Sequence, residues 1–277
     1  MAKFPGSMPT TPWDLRMAAR ALGLAALAFA VAWLVTAMTD EGNVAWGVRA
    51  GRTLPTAPLC AALGSAIALQ QGRARGEVRA LEALGRAPWQ NAFACVVGGA
   101  LTALMAALLM AASVSVDVAG FFPVAQHGAT FHYDAGAFVD RAHGLRVELD
   151  GTLATVPADV AAVASLGALP RHGRAAAALA TAFAGAALPL VLVQILLTRP
   201  LKGAGAREAR RSLVGSLAVW RAFFAIAGTA VVTILLFHAA AAGRISALIA
   251  PLPAAALLAA AVLRYGSDRW VAPRSQN

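Results

Sequence analysis

Glu77, Arg79, Glu82 and Arg86 stand close together in a short polar stretch between long apolar runs. Their chemistry is recognition, not bond breaking: carboxylates and guanidiniums on one helix can pair with opposite charges in a protein groove. Val78, Leu81 and Leu84 fall on one helical face of the same stretch and add apolar contact, and Gly85 follows. A second set of cations, Arg49, Arg52, Arg171, Arg174 and Arg244, lies at the ends of apolar runs. Guanidinium binds phosphate oxygens two at a time, so these five suit lipid phosphates; ordinary flanking charge is the plainer reading. His127, His132, Asp134, Asp140 and His143 share one polar segment, where an ordinary polar loop is preferred to a metal site. No Ser-His-Asp arrangement is legible. The glycines Gly203 and Gly205 lack the Lys–Ser/Thr ending of a phosphate-binding loop. The chain is therefore expected to hold no cofactor of its own, and energy would come from another subunit or an ion gradient.

The elements that place these residues are apolar. Hydrophobic residues make up 59% of the 277 residues and charged ones 13%, and the mean hydropathy is +0.67. Soluble domains carry about 25% charge, so this composition is that of an integral membrane protein. Six runs approach the roughly 20 residues needed to cross a bilayer: residues 17–38, 54–71, 92–113, 174–198, 213–238 and 245–264. The first is span-length and lacks a small-x-small cleavage pattern, so it reads as a retained span and not a signal peptide. Pro55 and Pro58 sit in the first turn of the second, and Pro251 and Pro253 should kink the sixth. Cys60 and Cys95 lie in apolar runs and read as packing residues.

The net charge of +10 is unevenly spread: most of the 23 Lys and Arg fall on the side that holds both termini. The positive-inside rule makes that side cytoplasmic. The excess charge is thus a topology signal and a means of meeting anionic lipid heads, with no nucleic-acid partner implied. The spans hold almost no mid-membrane charge, which argues against proton- or sodium-coupled transport. Arg221 reads as snorkelling beside Trp220, Arg20 as an interfacial anchor and His238 as interfacial. Gly98-Gly99-Ala100 and Gly185-Ala186-Ala187 would let helices approach closely, in the bundle or with a second membrane subunit; compositional drift towards alanine is the other reading.

The expected fold is an all-α integral membrane protein with six transmembrane helices, 3 + 3, and a small β-containing outer insert. Residues 1–113 form one half, 114–173 the insert and 174–277 the other half. Within the insert, residues 145–149 and 152–156 predict a β-hairpin with a type I′ turn at Asp150-Gly151. Residues 130–133 are a further strand candidate and 158–169 a short helix. Between spans two and three, residues 73–90 predict one charged amphipathic helix, ended by Gly85 and Pro88. It could lie on lipid. Glu77 and Glu82 would be repelled by anionic headgroups but suit a protein groove, so coupling to a soluble partner is the preferred reading.

Leu54-Pro55, Pro58-Leu59, Ala68-Leu69 and then Gly76 to Arg86 (GEVRALEALGR) resemble the lipopolysaccharide-export permeases of the LptF/LptG type. The basic stretch 199–211, Gly243-Arg244 and Pro251 resemble that family's later loops and last span, and the 3 + 3 layout with an outer β insert is similar. Two departures stand out: residues 114–173 are much shorter than the family's jellyroll, and Arg86-Ala87-Pro88 replaces the serine usual after the glycine. The resemblance implies a bacterial inner-membrane protein. It implies pairing with a second permease of the same family, and a cytoplasmic ABC ATPase that holds ATP and Mg. The substrate would be a lipid or lipopolysaccharide drawn from the outer leaflet, with a possible periplasmic partner. Glu77 would then meet a basic residue of the ATPase, with Val78, Leu81, Leu84, Gly85 and Arg86 beside it. FtsX-like proteins carry a similar helix, so a mechanotransmission protein that transports nothing is the alternative, and a scaffold without energy input a third.

Overall fold

The computed structural model describes residues 11–40, 44–118, 121–122, 132–134, 136–140, 144–155, 171–198, 208–242 and 244–270. The first helix, α1 (Pro12–Thr39), begins at a capping box: the Thr11 hydroxyl accepts from the Asp14 amide while the Asp14 carboxylate accepts from the Thr11 amide. The short helix α2 (Trp46–Thr53) passes through a 3-10 turn at Leu54–Thr56 into α3 (Ala57–Ala74). A seven-residue helix, α4 (Glu77–Ala83), precedes α5 (Pro88–Ala112). Four strands follow: β1 (His132–Asp134), β2 (Ala137–Asp140), β3 (Leu145–Glu148) and β4 (Leu153–Thr155). Then come α6 (Arg171–Thr198), α7 (Glu208–Ala241), a 3-10 turn at Ala247–Ile249 and α8 (Leu252–Trp270).

Six helical segments among the described residues are long and apolar enough to cross a membrane, one for each predicted run. The second is continuous from Trp46 to Ala74, longer than the predicted 54–71, because Pro55 and Pro58 fall in turns that need no amide donor. Pro251 and Pro253 lie within the sixth segment, where the 3-10 turn Ala247–Ile249 gives way to α8 at Leu252. Pro189 lies in the interior of the helix α6.

Helices α1, α3, α5 and α6 form the packed centre, and α8 leans on α6. Close approach is made by glycine. A Cβ on Gly98 would sit 2.1 Å from the Ala18 carbonyl oxygen, one on Gly99 2.1 Å from Ser65 Oγ, and one on Gly185 2.1 Å from Ala103 Cβ. The Gly98-Gly99 and Gly185 runs are therefore helix crossings inside this chain. Ser65 lies in the same seam and donates to the Cys95 and Ala61 carbonyls, 2.9 Å each. Cys60 and Cys95 are buried and unbonded to each other, as packing residues would be. Two clusters make the core. One, around Met17, Leu69, Val78 and Val193, lies at the end carrying α4; the other, around Leu54, Met110, Val116 and Phe237, lies at the end leading to the strands. The apolar windows of α1 and α7 are only 11% and 6% buried, against 50–61% for the second, third and fourth spans. Among the six segments, these two have the fewest buried residues in their apolar windows.

The strands form one antiparallel sheet in the order β1-β2-β3-β4. The predicted hairpin is β3–β4, with Val147 opposite Leu153 and Leu145 opposite Thr155. Its turn differs from expectation. The Gly151 amide bonds the Glu148 carbonyl and the Glu148 amide bonds the Thr152 carbonyl, with Gly151 at φ +85°. That is a three-residue loop closed by a left-handed glycine; Asp150 instead accepts from the Thr152 amide and hydroxyl at 2.9 and 2.7 Å. The strand expected at 130–133 is β1, set at His132–Asp134. The helix expected at 158–169 lies outside the described residues, as do His127 and His143.

Candidate functional site

The stretch 73–90 is not one helix. Residues 73 and 74 close α3, Gly76 turns the chain at φ +75°, α4 runs for seven residues, and Gly85 at φ +87° turns it again before Pro88 opens α5. Two left-handed glycines explain the breaks, since that backbone region is open to glycine at little cost. The result is a compact bracket. Val78 is its anchor, 1% exposed beside Met17 and Leu69, while Gly72 lies against both Met17 and Val78.

The bracket is tied to the first turns of α1. Trp13 Nε1 donates to Glu77 Oε2 at 3.2 Å, and Arg20 Nη1 lies 3.4 Å from the same oxygen. Arg75 is 3.9 Å from the other carboxylate oxygen. At the far end of the bracket Arg86 bonds Asp14 and lies 3.4 Å from Thr11 Oγ1, with its guanidinium carbon 5.2 Å from the Trp13 ring centre. Trp13 is thus held between the two, by a hydrogen bond on one side and a cation–π contact on the other. Glu77, expected to meet a basic residue of an ATPase, has its carboxylate turned to α1. Arg20 is likewise more than an interfacial anchor, since it is the ion-pair partner of Glu77. The three apolar residues also divide. Val78 is buried, Leu81 is half-buried, and Leu84 lies past the last helical residue and is 82% exposed. The outward face holds Arg79, Ala80, Ala83 and Leu84.

The five arginines considered for phosphate do not form one site. Arg49 and Arg52 share the carboxylate of Asp40, at 2.8 and 2.9 Å, and that carboxylate is 2% exposed. Both stand on α2, whose outer glycines carry the chain leaving α5: the Asp117 amide bonds the Gly47 carbonyl, and the Asp117 carbonyl lies against Gly51. Arg174 donates to the Val114 carbonyl at 3.3 Å. Arg244 is exposed. The side chain of Arg171 is outside the described part.

A separate apolar cavity of about 210 Å³ lies between α3, α6, α7 and α8, walled by Pro58, Phe122, Leu188 and Ile234 among others. Three threonines line it, but each hydroxyl is already bonded to a carbonyl one turn back, at 2.7 to 2.9 Å. Its lining is effectively hydrocarbon and suits an apolar ligand.

Sequence reasoning did not single out Trp13, Asp14 or Asp40. The Thr11–Asp14 spacing is a legible capping signature, but nothing local says that Asp14 also serves Arg86. Asp40 sits at the C-terminal cap of α1, where a carboxylate opposes the helix dipole. That conflict was a readable hint of a tertiary partner. Among the described residues no group of His, Cys, Asp and Glu could hold a metal ion. No protein-family model matches the chain, and no curated protein matches it.

Proposed function

We propose that this chain is the permease subunit of an ATP-driven lipid exporter, with α4 as the seat of a cytoplasmic ATPase and a second permease beside it. The reading rests first on the bracket: α4 is bonded to α1 through Glu77 and Arg86, yet presents Leu84 and Arg79 outward. A load on that outer face passes directly to α1, the least buried of the first three spans. α1 is then the span that moves, and lipid enters beside it. The hydrocarbon-lined cavity near the strand-bearing end supports a lipid cargo.

Leu84→Glu tests this. The side chain is 82% exposed, so the substitution leaves the fold intact. An ATPase that co-purifies with the wild-type chain, identified by its own ATP hydrolysis, should be lost from this variant. Retention of the ATPase, or its absence from the wild type, removes the coupling assignment.

One observation favours an FtsX-like mechanotransmission protein instead. The segment that leaves α5 is laid directly on α2, with Ser115 against Gly47 and Asp117 against Gly51, so movement of the spans reaches that segment. Lipid extraction into an acceptor separates the two: an exporter supports it with ATP and its partner, and a transmitter does not.

A further inference from the structure

α1 and α5 touch at Ala18 and Gly98 and diverge from there towards the α4 end. The space between them is a groove of about 590 Å³. Leu15, Ala18, Phe93 and Val97 form its walls, and Asp14 and Arg86 stand at its mouth. Leu15 is 73% exposed and Phe93 51%, so the walls open sideways to whatever surrounds the chain. The groove runs from Asp14 to Ala18 along α1, about 6 Å, and from Gln90 to Val97 along α5, about 10 Å, at 1.5 Å per residue. Both lie within the roughly 15 Å depth of one leaflet's hydrocarbon. An apolar void of about 150 Å³ accepts a benzene ring, so this one has room for an acyl chain.

The mouth pairs one cation with one anion. Arg86 has five N–H donors and, among the described residues, uses two, on Asp14 and Thr11. Among the described residues, Asp14 Oδ2 accepts from the Thr11 amide and hydroxyl, while Oδ1 accepts only from Arg86. Each group keeps bonding capacity, and the two side chains are 19% and 16% exposed. A purely anionic head would meet Asp14 as a repulsive neighbour. A head that carries its own cation beside its phosphate matches both.

We infer that this groove binds one phospholipid with a phosphoethanolamine head, its phosphate on Arg86, its ammonium on Asp14 and an acyl chain between α1 and α5. The site is separate from the cavity near the strands, and it does not depend on an ATPase or on export. Because its mouth is made of the residues that tie α4 to α1, an occupied groove and the bracket share their bonds.

The test is native mass spectrometry of the full chain, purified in detergent and exposed to equal amounts of phosphatidylethanolamine, phosphatidylcholine and phosphatidylglycerol. One phosphatidylethanolamine per chain should be retained, at least five-fold over either competitor, since choline has no N–H for Asp14. Leu15→Trp fills the groove from an exposed wall and should lower that retention at least five-fold, with the melting temperature in lipid-free detergent unchanged. Arg86→Gln should remove the preference among heads. Equal retention of all three lipids, no retention, or retention unaffected by Leu15→Trp overturns the inference, whatever the outcome with the ATPase.

Discussion

Trp13 and Glu77, 64 positions apart in the chain, meet through a hydrogen bond of 3.2 Å from the indole to the carboxylate. That contact, with Arg20 on the same oxygen, makes the start of α1 and the helix α4 one mechanical unit. It also changes what a charge reversal at Glu77 would report. Such a variant opens the bracket from inside, so lost partner binding could come from either surface.

Glu77→Lys should loosen α4 from α1, because it places a third cation beside Arg20 and Arg75. The ion pair is partly exposed and contributes on the order of 1 kcal/mol. Trp13 fluorescence should shift to the red as its bonded partner leaves. Glu77→Gln keeps the acceptor for the indole and should move the emission much less. Identical spectra for both variants and the wild type would refute the bracket.

Gly98→Ala should destabilise the bundle by about 1–3 kcal/mol, because the new methyl falls 2.1 Å from the backbone oxygen of Ala18. Gly23→Ala and Gly228→Ala meet nothing within 4 Å and should do the opposite, by about 0.5–1 kcal/mol, since alanine is the better helix former. Unfolding of the three variants in one detergent gives the ranking. A destabilised Gly23 or Gly228 variant would mark a helix of another chain seated there.

Asp40→Asn should cost about 2 kcal/mol, the scale of hydrogen bonds to a charged group. It leaves Arg49 and Arg52 without the carboxylate that holds both, at 2.8 and 2.9 Å. The end of α1 and the short α2 should then exchange amide hydrogens faster, with the α4 end unaffected. Uniform loss of protection along α1 would contradict this placing of the effect.

The β3–β4 turn should depend on pH. The Thr152 amide and then its hydroxyl hold the Asp150 carboxyl below its ordinary value of 3.8. A carboxyl whose folded value is lowered stabilises the fold above the unfolded value, and that support is lost as pH falls through the folded one. Protection of the Thr152 amide should be flat from pH 7 to about 5 and decline below 4. Asp150→Asn should abolish the decline; a decline that persists in that variant assigns the effect elsewhere.

Chain-local physics accounted for much of the architecture. Apolar runs of span length became six helical segments, because a buried or lipid-facing backbone must satisfy its own hydrogen bonds. Alternation at Leu145, Val147 and Leu153 placed a hairpin correctly, although its turn took a left-handed Gly151 and a third loop residue. The stretch 73–90 was readable as polar and helical, but not as a bracket broken by Gly76 and Gly85. A glycine's choice of a left-handed conformation depends on where the flanking helices must go.

What the residues alone determined was which segments are apolar, roughly where the spans lie, and where charge collects. Periodicity and capping act within a few residues of one another, so they are written in order along the chain. Only tertiary structure decided which way each charge faces. Glu77 turned to Trp13 and Arg20, Arg86 to Asp14, and Arg49 and Arg52 to Asp40. Those partners lie from 9 to 72 positions away. A carboxylate's preference among such distant cations is settled by how the helices between them pack.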